Sequence, residues 1–362
     1  MLAALAIFAV TAPVLAGPID PPPGPVAPTP GPEPRIPISD TTTPGDADSL
    51  YRIGNSGSYY LTGNITGVAG KKGIEVAGKG VTIDLNGFSL IGVPNSLAGI
   101  SAFAQVDHLA VFNGRVDSWG GEGITATPAA SARLHALQVR NCLGGGINAF
   151  AKSVITDCTA ENNGGTGITA GPISTVTRCA ASGSGTFGIF ASNGSTISQC
   201  TATGNTQAGI AVTSESIAEA CTARFNFAEG ITANEGSIVR NCMTSRNNLD
   251  GISATNACTI SGNACDNNGN GTNNIGAGIK VAGTNNRIEG NQCTVNDRGI
   301  QVDGAGNFIA RNTCSDNRDK NWIVAIGNIC LVVQGAPTTV LINGNTGGLA
   351  PGSTDPNANF TY

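Results

Sequence analysis

A chain of 362 residues with a formal net charge of −5 and 12% charged residues lacks the basic clusters of a nucleic-acid-binding surface. Aromatic residues make up 5%, too few for a deep stacking groove. Its 51 glycines argue against a mainly helical chain, because glycine is a poor helix former.

Residues 1–16 are apolar and end in Val14-Leu15-Ala16, the small-residue pattern of a signal-peptide cleavage site. No Lys or Arg precedes the apolar run, so a truncated gene start is the alternative. The run is too short for a membrane span, and no later segment is long and apolar enough for one. The expected location is secreted, periplasmic or cell-surface. Residues 17–37 form a proline-rich, stiff and extended linker. Residues 38–66 are expected to form an N-terminal cap, with Tyr59, Tyr60 and Leu61 covering the first coil. A bare solenoid end exposes strand edges and core.

From residue 67 to 345 the chain repeats. Eleven Gly–Ile pairs run from Gly73 to Gly299, and those from Gly146 to Gly251 stand 21 residues apart. A fixed period in the twenties marks a solenoid. Within each repeat the apolar stretches are short, rich in β-branched residues and bounded by Gly, Asn and Ser, which reads as strands and turns. The period is too short for the common helix-pair repeats, and Leu is too scarce for a leucine-rich repeat. What fits is an all-β parallel β-helix, a single-stranded solenoid of 11–12 coils as counted from these pairs. Stacking at about 4.8 Å per strand turns equal offsets into columns. One column is Ile147, Ile168, Ile189, Ile210, Ile231 and Ile252; beside it runs a column of small residues that includes Ala149, Ala170 and Ala191.

Cys158, Cys179, Cys200, Cys221 and Cys242 are also 21 apart, and Cys142 reads as the start of the same column. The column passes to Asn263, Asn291 and Asn312, while a second column begins with Cys265, Cys293 and Cys314. A third holds Asn163, Ser184, Asn205, Asn226, Asn247, Asn268, Asn296 and Asn317, which can bond along the axis as an amide ladder. In-register cysteines point the same way, which opposes the torsion a disulfide needs. They are read as buried free thiols acting as small hydrophobes. The alternatives are one or two bridges, such as Cys258 with Cys265, or a metal role that no C-x-x-C or His cluster supports. Beyond the last pair, Trp322, Ile323 and Val324 replace Gly–Ile. Residues 329–333 and 340–342 close the far end, and residues 346–362 form a polar tail whose last dozen residues are expected to fray.

The segments Gly57-Ser58-Tyr59-Tyr60-Leu61-Thr62-Gly63-Asn64 and Gly80-Val81-Thr82-Ile83-Asp84-Leu85-Asn86-Gly87-Phe88 resemble the opening of bacterial exported right-handed parallel β-helix proteins. The coil from Arg287 to Asn296, followed by Gly299-Ile300, resembles the generic repeat of the pectin-lyase-like superfamily. The resemblance covers about residues 38–345 and implies a right-handed β-helix. Members cleave, epimerise or bind polysaccharides. The Asn-Thr-Asp, Asp-Asp, His-Gly and Arg-Ile-Lys motifs of the polygalacturonase type are absent, as is the Asp-Pro-His of alginate epimerases.

A site would therefore have to be assembled from different coils. Glu229 and Asp250 precede Gly–Ile pairs on adjacent coils, and Arg298 has the same offset two coils later. Lys280 and Asp303 project from the strands that follow. Paired carboxylates at one strand spacing can serve as acid and nucleophile or bind a cation, calcium above all; no other cofactor is implied. If the chain is an enzyme, Glu229, Asp250, Lys280, Arg298 and Asp303 are the candidate catalytic residues. The longer coil from Gly251 to Gly278 adds a Gly/Asn-rich loop, residues 267–274, to wall the groove. A second constellation is Asp107, His108, Arg115 and Asp117. The leading function is that of an exported protein binding a polysaccharide or cell-surface glycan, or serving an adhesive or structural role. The alternative is a polysaccharide lyase or glycosidase. Ice or mineral binding by a flat threonine array is interrupted by Phe190 and Ala211.

Overall fold

The computed structural model describes residues 35–103, 106–271, 275–334, 342–344 and 355–362. The signal-peptide reading and most of the linker reading fall on residues 1–34, outside the described residues. Residues 36–362 form one compact unit.

The Gly–Ile positions build one parallel sheet of 14 strands, from Ser49–Ile53 to Ile342–Gly344. We call it the isoleucine sheet. Its register matches the expected column: Ile147 pairs with Ile168, Ile168 with Ile189, Ile189 with Ile210, and Ile210 with Ile231. These isoleucines are fully buried. Each contributes roughly 1.5–3 kcal/mol of hydrophobic burial. Glycine precedes them because the rungs meet there. A Cβ at Gly188 would lie 2.5 Å from Asn205 Nδ2 and 2.6 Å from the Gly209 carbonyl.

Counting Gly–Ile pairs undercounts the rungs. The first strand aligns Tyr51 with Ile74, and near the far end Trp322 aligns with Ile300 and then Ile342 with Trp322. Terminal rungs bear larger residues in place of the pair, so the turns number about 14 rather than 11–12. Part of the expected cap is thus the first rung. Pairing begins still earlier, at Ile36–Pro37 with Tyr59–Tyr60. Tyr59 and Leu61 are buried. The last residues do not fray: Asn359–Thr361 pairs with Val332–Gln334 and with Thr313–Cys314, and Asn359 is fully buried.

In the middle coils two further short strands join a 26-stranded flanking sheet. The inward faces of both sheets form one core. Three polar or thiol columns line its corners. In the Asn column, Nδ2 of Asn205 donates to Oδ1 of Asn226 at 2.9 Å, Asn226 to Asn247 at 2.9 Å, and Asn247 to Asn268 at 2.8 Å. Backbone amides of each rung donate to the same oxygens. Buried amides are thereby satisfied.

All eleven cysteines are free and buried. Burial pushes the Cys142 thiol up to about 11 and the Cys330 thiol up to about 12. Two assignments change. Cys142 heads the Asn column, its amide donating to Asn163 Oδ1 at 3.1 Å, because Val139 pairs with Ala160. Cys258 lies in a different column from Cys265, which excludes the suggested bridge. Cys258 continues a serine ladder absent from the sequence reading: the amides of Ser153, Ser174, Ser195 and Ser216 donate to the next hydroxyl at 3.0–3.2 Å. The Cys258 amide passes the ladder on to Asn286 Oδ1 at 2.8 Å.

Candidate functional site

The outward positions of the isoleucine sheet carry the candidate site. Asp250 and Glu229 sit one rung apart, each just before its Gly–Ile pair. Lys280 pairs in register with Ser253 on one side and Gln301 on the other, so it stands one rung beyond Asp250. Arg298 lies on the rung after Lys280.

Asp250 is 6% exposed, and its Oδ1 accepts the Ala277 amide at 2.8 Å. Burial raises its pKa to about 6; the Ala277 hydrogen bond, Lys280 and Arg298 oppose that rise, while the Glu229 charge adds to it. Four of the five predicted residues thus share one electrostatic neighbourhood. Asp303 is not among the groups that move the Asp250 carboxyl. It is exposed and accepts the Gln301 side-chain amide at 2.8 Å. Gln301 in turn accepts from Arg298 at 2.8 Å, and Arg298 Nε pairs with Asp319 at 3.3 Å.

Calcium does not fit this arrangement. Among the described residues, no group of three or more Asp, Glu, His or Cys side chains is placed to hold a metal ion. The buried carboxylate already accepts a backbone amide and has two cationic neighbours.

The second constellation does not assemble. Asp107 precedes the strand Ala110–Asp117, whereas Arg115 and Asp117 lie at its far end. Asp107 is 4.0 Å from Lys79, Arg115 donates to Gln138 at 3.0 Å, and Asp117 pairs with Arg140 at 2.8 Å. His108 occupies a left-handed turn with φ of 58°. These are separate surface contacts.

Sequence reasoning missed Asp297 and Arg318. Asp297 is fully buried, and Arg318 pairs with it at 2.8 Å. Their one sequence signal is the repeated adjacency of Asp297-Arg298 and Arg318-Asp319 at a 21-residue interval. A cleft of about 400 Å³ lies on the same face several rungs earlier, lined by Glu122, Asn148, Thr166, Thr169 and Thr186 among others.

A family model described as a right handed beta helix region matches residues 54–220. No curated protein matches the chain in sequence. Among solved structures, the A-module of a mannuronan C-5 epimerase from Azotobacter vinelandii superposes with a TM-score of 0.57 at 14% identity, covering 84% of this chain and 90% of that one. The Dettilon tailspike protein gives 0.45 at 12%, covering 85% and 61%. A periplasmic alginate epimerase gives 0.42 at 10%, covering 91% and 82%. At such identity the first shows a shared fold alone, and the other two superpose too loosely to support an inference. No helix of the described residues is long and apolar enough to cross a membrane. The chain carries a right-handed parallel β-helix domain of the pectin-lyase-like fold.

Proposed function

We propose that this chain is an exported protein whose isoleucine-sheet face binds an acidic polysaccharide, and that Asp250 moves a proton on the bound sugar. The observation that carries the reading is a buried carboxylate raised to about 6 between a carboxylate neighbour and two cationic side chains. Such a group is suited to proton transfer near neutral pH. Lys280 and Arg298 would meet the sugar carboxylate as charge-assisted donors. Asp250 would take the proton from the carbon beside that carboxylate. The electron pair left behind spreads into the carboxylate, whose growing charge the two cations stabilise. A solvent proton delivered to the opposite face of that carbon gives epimerisation; departure of the neighbouring glycosidic oxygen, which takes up a proton as it leaves, gives a lyase product. The fold shared with a mannuronan C-5 epimerase module supports this reading at the level of fold.

Binding without turnover is the second reading. It is favoured by Arg298 being held by Asp319 and Gln301. The test is a panel of uronate and neutral polysaccharides with wild type, D250N and K280Q. Turnover of an acidic polymer by wild type, lost in D250N and accompanied by weaker binding in K280Q, is the expected result. Binding that all three proteins share, with no product, replaces the first reading by the second. No binding of any acidic polymer overturns both.

A further inference from the structure

The coil between Gly251 and Gly278 is 27 residues long where most of its neighbours take 21, and two of its described residues, Gly269 and Ala277, bond to Leu249 and Asp250. The two ends of the extra chain touch. A Cβ at Gly276 would lie 2.3 Å from Gly269 Cα, so the described parts of the segment close at a neck. The Gly269 amide donates to the carbonyls of Asn247 at 2.9 Å and Leu249 at 3.0 Å. The residue after Gly276 is Ala277, whose amide donates to Asp250.

Asp297 fills this neck. Its Oδ1 accepts the Gly271 amide at 3.1 Å, and its Oδ2 accepts Gly276 at 3.4 Å. Arg318 Nη1 pairs with Oδ1 at 2.8 Å, while Nη2 reaches Asn267 Oδ1 at 2.9 Å. Gly269 has φ of +88°, and a Cβ there would stand 2.2 Å from Asp297 Oδ2, so glycine alone lets the chain pass the carboxylate. On earlier rungs the corresponding position is Gly185, Thr206, Phe227 and Asn248, none of them charged. Asp297 is fully buried while Arg318 is 38% exposed, so the pair desolvates a carboxylate for a partner that stays partly hydrated, a poor source of net stability. A carboxylate fixed at one irregular coil calls for a reason beyond packing.

We infer that Asp297 is a positioning residue for Asp250: with Arg318 it clamps the neck of the inserted segment and so holds the Ala277 amide on Asp250 Oδ1. The inference rests on Asp250 being the proton-transferring group proposed above. Losing the amide withdraws a donor that favours the ionised form, so Asp250 should hold its proton to higher pH.

The test is carboxyl-carbon NMR titration of Asp250 in the unliganded full chain, for wild type, D297N, R318Q and the control R240Q, whose pair with Glu219 lies on the flanking sheet. We expect the Asp250 midpoint to rise by about one pH unit in D297N, by less in R318Q, and not at all in R240Q. If D297N does not fold, R318Q carries the test, because Arg318 is 38% exposed. An unchanged midpoint in a folded D297N, or in R318Q where D297N is unfolded, overturns the clamp. An upward shift in a protein that turns over no acidic polysaccharide keeps the clamp and removes the proposed reaction.

Discussion

Asp250 shows how one side chain ties stability to pH. Its folded pKa of about 6 lies above the ordinary 3.8, so between those values the folded chain keeps a proton that the unfolded chain has released. The stability from this group is full below about pH 4 and is lost as pH rises through about 6. D250N keeps an acceptor for the Ala277 amide. It should match wild type near pH 3.5 and exceed it near pH 8 by roughly 1–3 kcal/mol, which urea unfolding at both pH values measures. A difference that does not change with pH would show that Asp250 ionises without cost. The amide ladder gives a second case. Asn226 accepts from Asn205 and donates to Asn247, so N226A strands buried partners on both sides. The expected cost is about 2–4 kcal/mol, against a near-neutral change for the exposed Asn248.

At the scale of the element, what was legible depended on periodicity. The Ile147–Ile231 column followed from equal spacing, because side chains at equal offsets in equal coils must stack. Glu229, Asp250, Lys280 and Arg298 could be grouped for the same reason. The serine ladder was not legible, since serine is common in turns and its ladder partners are backbone amides that leave no trace in sequence. Cys142 was misplaced because its distance to Cys158 was read as a shortened coil, whereas strand pairing sets it opposite Asn163. Asp297 was hidden because it accepts backbone amides, those of Gly271 and Gly276, which leave no pattern in sequence. The sheet itself makes a prediction. I189A should cost about 2–5 kcal/mol. I189D should abolish cooperative unfolding of the middle coils, read by circular dichroism during a thermal scan. A folded I189D with an unchanged transition would contradict the inward placement of the column.

At the scale of the whole molecule, the described residues from 36 onward form stacked coils whose strands pair with those of neighbouring coils in two sheets. The eleven free cysteines are distributed through this stack and shielded by it. Native protein should therefore bind few equivalents of an alkylating reagent, while unfolded, unreduced protein should bind nearly all eleven. Four or more residues blocked by disulfides after unfolding would refute the thiol columns. The central claim is that the face holding Asp250 exchanges a proton with an acidic sugar. It is tested most directly by incubating the full chain with uronate polysaccharides in deuterated water and reading deuterium at the carbon beside the sugar carboxylate by NMR. An epimerase leaves this mark in its product; a lyase product carries no hydrogen at that carbon and is read in the same spectra by its new carbon–carbon double bond. The account predicts incorporation or double-bond formation that rises as pH passes about 6 and disappears in a folded D250N. Incorporation or double-bond formation that D250N retains, or neither with any uronate polymer, would contradict it.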